Sequence, residues 1–240
     1  MIRTIAVMGF VVLALVFGLP WLILWTLITN DASFMYRVFL GALRITMRIA
    51  GIQIRVEGTE NIPPGVCIFA SNHASNVDPV ALVPHIPRRV ALLAKKEVFR
   101  IPILSKALYL ARLIPVNRGD KEAAAESVET AIKYLKEGLS FCVYPEGTRS
   151  PDGHLLPFKK GTFVMAIRAG VPVVPVSLAG TQRLMRKGDW TIHPGQVVVR
   201  FGPAVNAAEY SADQRDELRK RVQDLVAAGL PEDQKPLETK

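Results

Sequence analysis

The feature that most restricts this chain is an uncharged apolar run, IAVMGFVVLALVFGLPWLILWTLI, over residues 5–28, with no charge between Arg3 and Asp31. As one helix it would extend roughly 36 Å at 1.5 Å per residue, a length that suits the hydrocarbon core of a bilayer. A secretory signal would have a shorter apolar core and a small-residue cleavage site. Neither is present, so the segment is expected to be retained as an anchor. Pro20 removes one helix hydrogen bond, and Trp21 and Trp25 favour a membrane–water interface. A kinked span and a re-entrant helical hairpin both fit this pattern.

Residues 32–50 form a basic amphipathic pattern. Arg37, Arg44 and Arg48 fall within a narrow arc at 100° per residue, among Phe34, Val38, Phe39, Leu43, Ile45 and Ile49. Such a helix lies in the headgroup region with its arginines toward lipid phosphates; an ordinary helix with a solvated face has the same pattern. More basic residues follow the apolar run than precede it, which predicts a body on the cytoplasmic side of a cell inner membrane. The formal net charge of +9 draws phosphate-bearing partners. With an apolar anchor present, the expected partner is an anionic membrane surface and not nucleic acid. Cys67 and Cys142 lie in apolar strand-like runs without metal-ligand spacing, as inert thiols of a reducing compartment do.

After Gly51 the hydrophobic period changes. Ile52, Ile54 and Val56 alternate with polar residues, as in a half-buried strand. Continuous apolar runs at 66–70, 90–94, 113–116, 140–144, 173–176 and 197–201 read as further strands, of the kind buried on both faces of a parallel sheet. Helical patterns at 101–111, 121–137, 161–169 and 211–228 separate them. Asp120 is a candidate N-cap, Gly138 and Gly170 are stop signals, and Ser211 with Gln214 makes a capping box. Asp78-Pro79 reads as an N-cap and first helical residue. The expected fold is α/β, a mostly parallel sheet flanked by helices and preceded by the helical anchor. The expected divisions are a membrane-associated segment at 1–50, an α/β domain at 51–230 and a solvated tail at 231–240.

Ligands of open α/β sheets bind in loops beyond the carboxyl ends of strands. Four polar loops here follow strand-like runs: NHASNVDP from Asn72, NRGD from Asn117, PEGTRS from Pro145, and the segment after Val176. In the first, an imidazole is the natural general base for a hydroxyl near neutral pH, and a carboxylate on its other nitrogen fixes the tautomer. His73 and Asp78 have those identities and a spacing that lets a loop fold the carboxylate beneath the ring. They equally fit a turn histidine and a capping aspartate. A metal site is not expected, because the four histidines lack a matching cysteine or carboxylate cluster. Arg118 and Arg149 sit on glycine-containing loops, where guanidinium and close backbone suit phosphate. Glu146 is placed to orient Arg149 or to hydrogen-bond a substrate hydroxyl.

NHASNVDP at Asn72, LIPVNRGD at Leu113, YPEGTRS at Tyr144 and VPVVPVS at Val171 occur in that order. Together they resemble the four blocks of the glycerolipid acyltransferases, specifically the bacterial 1-acylglycerol-3-phosphate acyltransferases, over residues 50–205. One departure is Tyr144, where that family usually has phenylalanine. The resemblance implies transfer of a fatty acyl group from acyl-CoA or acyl carrier protein to the free hydroxyl of lysophosphatidic acid, with no cofactor beyond that co-substrate. It implies His73 as the base and Asp78 as its partner. It further implies acceptor binding by Arg118, Glu146, Gly147, Thr148 and Arg149, and a structural or acyl-facing role around Pro172 and Pro175. Lys95 and Lys96 would lie near the mouth of the site, as possible donor contacts alongside the membrane-facing Arg37, Arg44 and Arg48. The same residues would serve an acyltransferase for glycerol 3-phosphate or another lysophospholipid. From different classes, a membrane-anchored hydrolase and an anionic-lipid-binding module also remain open at this point.

Overall fold

In the computed structural model, which describes residues 1–117, 119–186 and 188–237, seven strands form one sheet. They are β1 (Ile52–Glu57), β2 (Ile68–Ser71), β3 (Val90–Lys95), β4 (Ile114–Val116), β5 (Ser140–Val143), β6 (Val173–Ala179) and β7 (Gly195–Phe201), in the order β1-β7-β6-β2-β5-β3-β4. Five of them, β2 to β6, run parallel to one another. The exception is at one side, where β7 turns antiparallel to β6 and β1 pairs parallel to β7. The expected mostly parallel sheet is therefore present. The starts of β1 and β7 share an edge with the carboxyl ends of β2 to β6.

Side-chain alternation along the central strands divides the core in two. In β2, Ile68 and Ala70 face one layer while Phe69 faces the other. The first layer is covered by α6 (Lys121–Lys136), α7 (Gly161–Ala169) and α8 (Arg215–Ala228), through Ile132, Leu135, Phe163, Met165, Leu218 and Val222. The second packs beneath α1 (Ile2–Leu13), α3 (Ser33–Ala50) and α4 (Val77–Leu82), through Val7, Met47, Ala50, Ala81 and Leu82. Phe69, Phe141, Phe163 and Phe201 are completely enclosed. Each contributes about 1.5–3 kcal/mol of transfer free energy, holding the strands to both helical layers.

The apolar run lies in one continuous helix. α1 continues through a π turn at Ala14–Gly18 into α2 (Leu19–Thr29). Pro20 supplies no N–H to the turn before it, and the widened turn accommodates that loss. Together Ile2–Thr29 is long and apolar enough to cross a membrane. It nevertheless lies along the body. At one end Arg3 Nη1 donates to Ala50 O, across Gly51, where a Cβ would collide with that guanidinium. Gly51, at φ 71°, also ends α3 in the left-handed conformation. At the other end α2 packs on α3 and on α5 (Pro102–Leu110).

Two local expectations are corrected. The helix after the NHASNVDP loop starts at Val77, with Asn76 at the N-cap position, so Asp78 does not cap it. Its carboxylate turns back to the preceding loop, where three donors converge. Nor are the residues after Leu230 a fully solvated tail. A turn at Glu232–Gln234 buries Gln234, whose carbonyl accepts from Leu155 N and whose Oε1 accepts from Gly180 N. The last helix also begins as a 3-10 turn at Ala212–Gln214, with the Ser211/Gln214 capping box formed as read from sequence. Asp120 caps α6 by accepting from Glu122 N and Ala123 N.

Candidate active site

The parallel strands bring four loops to one edge. The chain leaves central β2 at Ser71 and reaches His73 two residues on; neighbouring β5 leads into Pro145–Ser150. β4 leads to Asn117 on the far side, and β6 to Gly180 on the near side. Arg118 itself lies outside the described residues.

The His73 loop is tied down at almost every residue. Asn72 bridges to β6, its Nδ2 donating to Leu178 O at 2.9 Å and its Oδ1 accepting from Leu178 N at 2.7 Å. Ser75 Oγ donates to Met185 O at 2.7 Å and accepts from Val77 N at 3.1 Å. Ser150 N donates to His73 O at 2.8 Å, joining the first and third blocks directly. Asn72, Ser75 and Ser150 were all within the quoted motifs, but nothing local in them pointed to these partners, which lie dozens of residues away.

At the centre, His73 Nδ1 meets Asp78 Oδ2 at 2.6 Å. The same oxygen accepts the backbone N–H groups of Ala74 at 2.7 Å and Ser75 at 2.8 Å. The Asp78 side chain is 0% exposed and that of His73 12%. A buried carboxylate with three donors has one orientation, and it directs the Nδ1 proton toward itself. Nε2 is left as the nitrogen able to take a proton from a ligand. The ring also stacks on Tyr144, with centroids 4.2 Å apart and planes 24° apart. Tyr144 is thus the floor under the imidazole, a role an unsubstituted ring would also fill. Its buried phenol is held well above its ordinary titration range by burial, with Cys142 and Asp78 adding to the shift, so it stays protonated.

Glu146 is only 3% exposed, and its Oε1 accepts from His73 N at 2.8 Å. Burial pushes its carboxyl up to about 8, against the pull of hydrogen bonds from His73 and Leu156 and with a further push from Asp78. A carboxyl raised in the folded state holds a proton that the unfolded chain has already released. Its contribution to stability is complete below the ordinary glutamate range and is lost as pH climbs toward 8. Glu146→Gln is therefore expected to gain on the unmodified protein, by up to a few kcal/mol, as pH is raised from 5 to 8. Denaturant melts of both proteins at those pH values check this; parallel curves would refute a buried neutral acid.

Gly147 has φ 71°, and a Cβ there would meet the aliphatic stem and Nζ of Lys159 at 2.9–3.0 Å. The turn thus packs Lys159 beside the PEGTRS loop, a cation that the sequence motif did not include. Thr148 and Arg149 are half-buried on that loop. Lys95 ends β3 and Lys96 begins the next turn, both exposed at the same sheet edge, two strands from β2. Arg37, Arg44 and Arg48 are exposed on α3 beside Phe34, Val38, Phe39 and Ile45. Arg44 Nη2 also donates to Pro84 O at 2.8 Å, fastening α3 to the body. Cys67 and Cys142 are buried and unpaired by disulfide, and burial pushes the Cys142 thiol up to about 12, which keeps it un-ionised.

An imidazole–carboxyl pair at the carboxyl edge of a parallel sheet can activate a ligand hydroxyl. The acyltransferase family model matches residues 53–179, which span the His73 loop, the Asn117 loop and the Pro145–Ser150 loop. The chain belongs to the acyltransferase family. This acyltransferase is 36% identical over 226 residues to a 1-acyl-sn-glycerol-3-phosphate acyltransferase of Limnanthes douglasii, covering 94% of this chain and 78% of that one. A bacterial protein of the same name, from Pseudomonas aeruginosa, is 30% identical over 192 residues, 80% and 74% of the two chains. The crystal structure of PlsC, the 1-acyl-sn-glycerophosphate (LPA) acyltransferase from Thermotoga maritima, superimposes with a TM-score of 0.80 at 31% identity, covering 95% of this acyltransferase and 92% of PlsC.

Proposed function

We propose that this acyltransferase moves a fatty acyl group from an acyl thioester to the free sn-2 hydroxyl of 1-acylglycerol 3-phosphate, giving phosphatidic acid for phospholipid synthesis. The observation that carries this reading is the 2.6 Å contact of His73 Nδ1 with the buried Asp78 carboxylate. In this scheme His73 Nε2 removes the hydroxyl proton as the oxygen attacks the thioester carbonyl. The new C–O bond forms, the C–S bond breaks, and the proton leaves on the released thiol. Asp78 offsets the positive ring that exists between the two proton transfers. No covalent acyl–protein intermediate is required.

The names carried by the relatives support the acceptor. Arg118 and Arg149, with Glu146, Gly147 and Thr148 shaping the loop, are proposed to hold its glycerol phosphate. Lys95 and Lys96 are proposed to meet the anionic donor, acyl-CoA or acyl carrier protein. An apolar cavity of about 230 Å³, lined among others by Leu22, Tyr36, Phe39, Leu92, Leu104 and Leu108, supports a fatty substrate.

The long apolar helix supports membrane association. We place the protein on the cytoplasmic side of the inner membrane, its arginine-bearing α3 toward an anionic surface. Because both ends of Ile2–Thr29 rest on the body, the helix is read as lying in the interface with the domain beside it. Acceptor and product then need not leave the lipid.

The test is purified protein with lysophosphatidic acid and a panel of acyl-CoA and acyl carrier protein thioesters. Phosphatidic acid is the expected product. Thioester consumed only to free fatty acid would make the protein a hydrolase instead. In the same assay Arg118→Ala and Arg149→Ala are expected to raise the acceptor KM by about tenfold or more. Unchanged acceptor kinetics in both would remove the phosphate assignment.

A further inference from the structure

The loop of residues 184–193 connects two regions that the chain places far apart. Its root is bonded to the His73 loop, because Met185 O accepts the hydroxyl of Ser75. Its far end is bonded to the start of the apolar helix, where Ile192 N donates to Thr4 Oγ1 at 3.1 Å. The loop is closed on itself by His193 N donating to Leu184 O at 2.9 Å, with Leu184 buried beneath it. Near the tip, Asp189 N donates to Arg186 O, and the Asp189 carboxylate accepts from Thr191 N at 2.7 Å.

Between these bonds stands Trp190, 74% exposed. Single exposed apolar residues are ordinary on protein surfaces. Trp190 differs because of its neighbourhood. Through the Thr4 contact it adjoins the first turn of α1, whose Met1, Ile2 and Ile5 are also exposed. Arg3, exposed in that first turn, adds positive charge to the same region. An indole combines a large apolar ring with one N–H donor, which suits the boundary between headgroups and acyl chains. A basic residue nearby suits anionic lipid phosphates.

We propose that this loop is a second membrane-contacting element, with Trp190 as its anchor in the headgroup–acyl boundary of an anionic bilayer. The inference rests on the membrane association read above for the apolar helix, and it is independent of the chemistry assigned to His73. Its consequence is mechanical. The same short segment grips the bilayer and holds the hydroxyl of Ser75, two residues beyond His73, so it sets the level of the imidazole relative to the lipid surface.

The chain has three tryptophans. Replacing two by Trp21→Phe and Trp25→Phe leaves Trp190 as the sole indole reporter in the full-length protein. With vesicles of mixed phosphatidylcholine and phosphatidylglycerol, its emission is expected to shift to the blue. Brominated lipids should quench it, most strongly when bromine lies near the headgroup. Protein that floats with the vesicles while Trp190 stays unshifted and unquenched would overturn the loop proposal alone. Protein that does not float with them would overturn both this proposal and the membrane reading. As a second measurement, Trp190→Ser is expected to lower vesicle partitioning by about tenfold, with turnover of detergent-dispersed substrate unchanged. Equal partitioning of the two proteins would also refute the anchor.

Discussion

His73→Ala is expected to lower turnover by about a hundred- to ten-thousandfold, the span that a positioned general base contributes. Folding should survive. The ring is partly solvent-facing, and its removal deletes one stacking contact with Tyr144 and one of the three donors to Asp78. The other two, Ala74 N and Ser75 N, still satisfy that carboxylate oxygen. A cost of about 1–2 kcal/mol follows from the lost hydrogen bond and stacking. Steady-state assay with lysophosphatidic acid, paired with a denaturant melt, separates the two effects. Turnover within a few-fold of the unmodified protein would remove His73 from the chemistry. A collapse of stability would mean that the residue is mainly structural.

Asp78→Asn is expected to be more damaging to the fold and nearly as damaging to the reaction. An asparagine carbonyl can occupy the Oδ2 position and keep all three contacts. Its amide must then sit where Asp78 Oδ1 now lies, a buried position without a hydrogen-bond partner. A buried unsatisfied amide costs about 1–3 kcal/mol. The negative charge is also gone, so a protonated His73 ring has nothing to balance it, and turnover should fall about a hundredfold or more. Urea titration and turnover of the same preparation measure both. Activity within threefold of the unmodified protein would show that the carboxylate only shapes the loop.

Much of the site was readable because its chemistry is compressed into short motifs. His73 and Asp78 are five positions apart, and so their contact is a property of one loop. The strands and helices were readable for a similar reason, since buried parallel strands are continuous apolar runs and their helices carry caps at fixed spacing. Boundaries slipped where a side chain served a distant group. Asp78 has the identity and position of an N-cap, yet three donors upstream captured its carboxylate, and the helix began without it. Gln234 belongs to a charged, proline-containing terminus, yet its side-chain oxygen and its backbone carbonyl each found a backbone N–H, of Gly180 and of Leu155. Glu146 could be assigned to a ligand or to an arginine from its motif; its contact with His73 N depends on β5 lying next to β2.

The sequence by itself determined the α/β class, the apolar N-terminal helix, the pairing of His73 with Asp78 within one loop, and the four motifs that mark the family. These are local properties, written in period, composition and spacing along the chain. Only the tertiary structure decided the strand order, the reversal of β1 and β7, and the placement of the apolar helix against the body. It alone joined Ser75 to Met185 and Thr4 to Ile192, which set Trp190 near the start of the apolar helix. Such pairings depend on which surfaces meet when the core closes, and a hydrogen bond between residues nearly two hundred positions apart leaves no mark on either one alone.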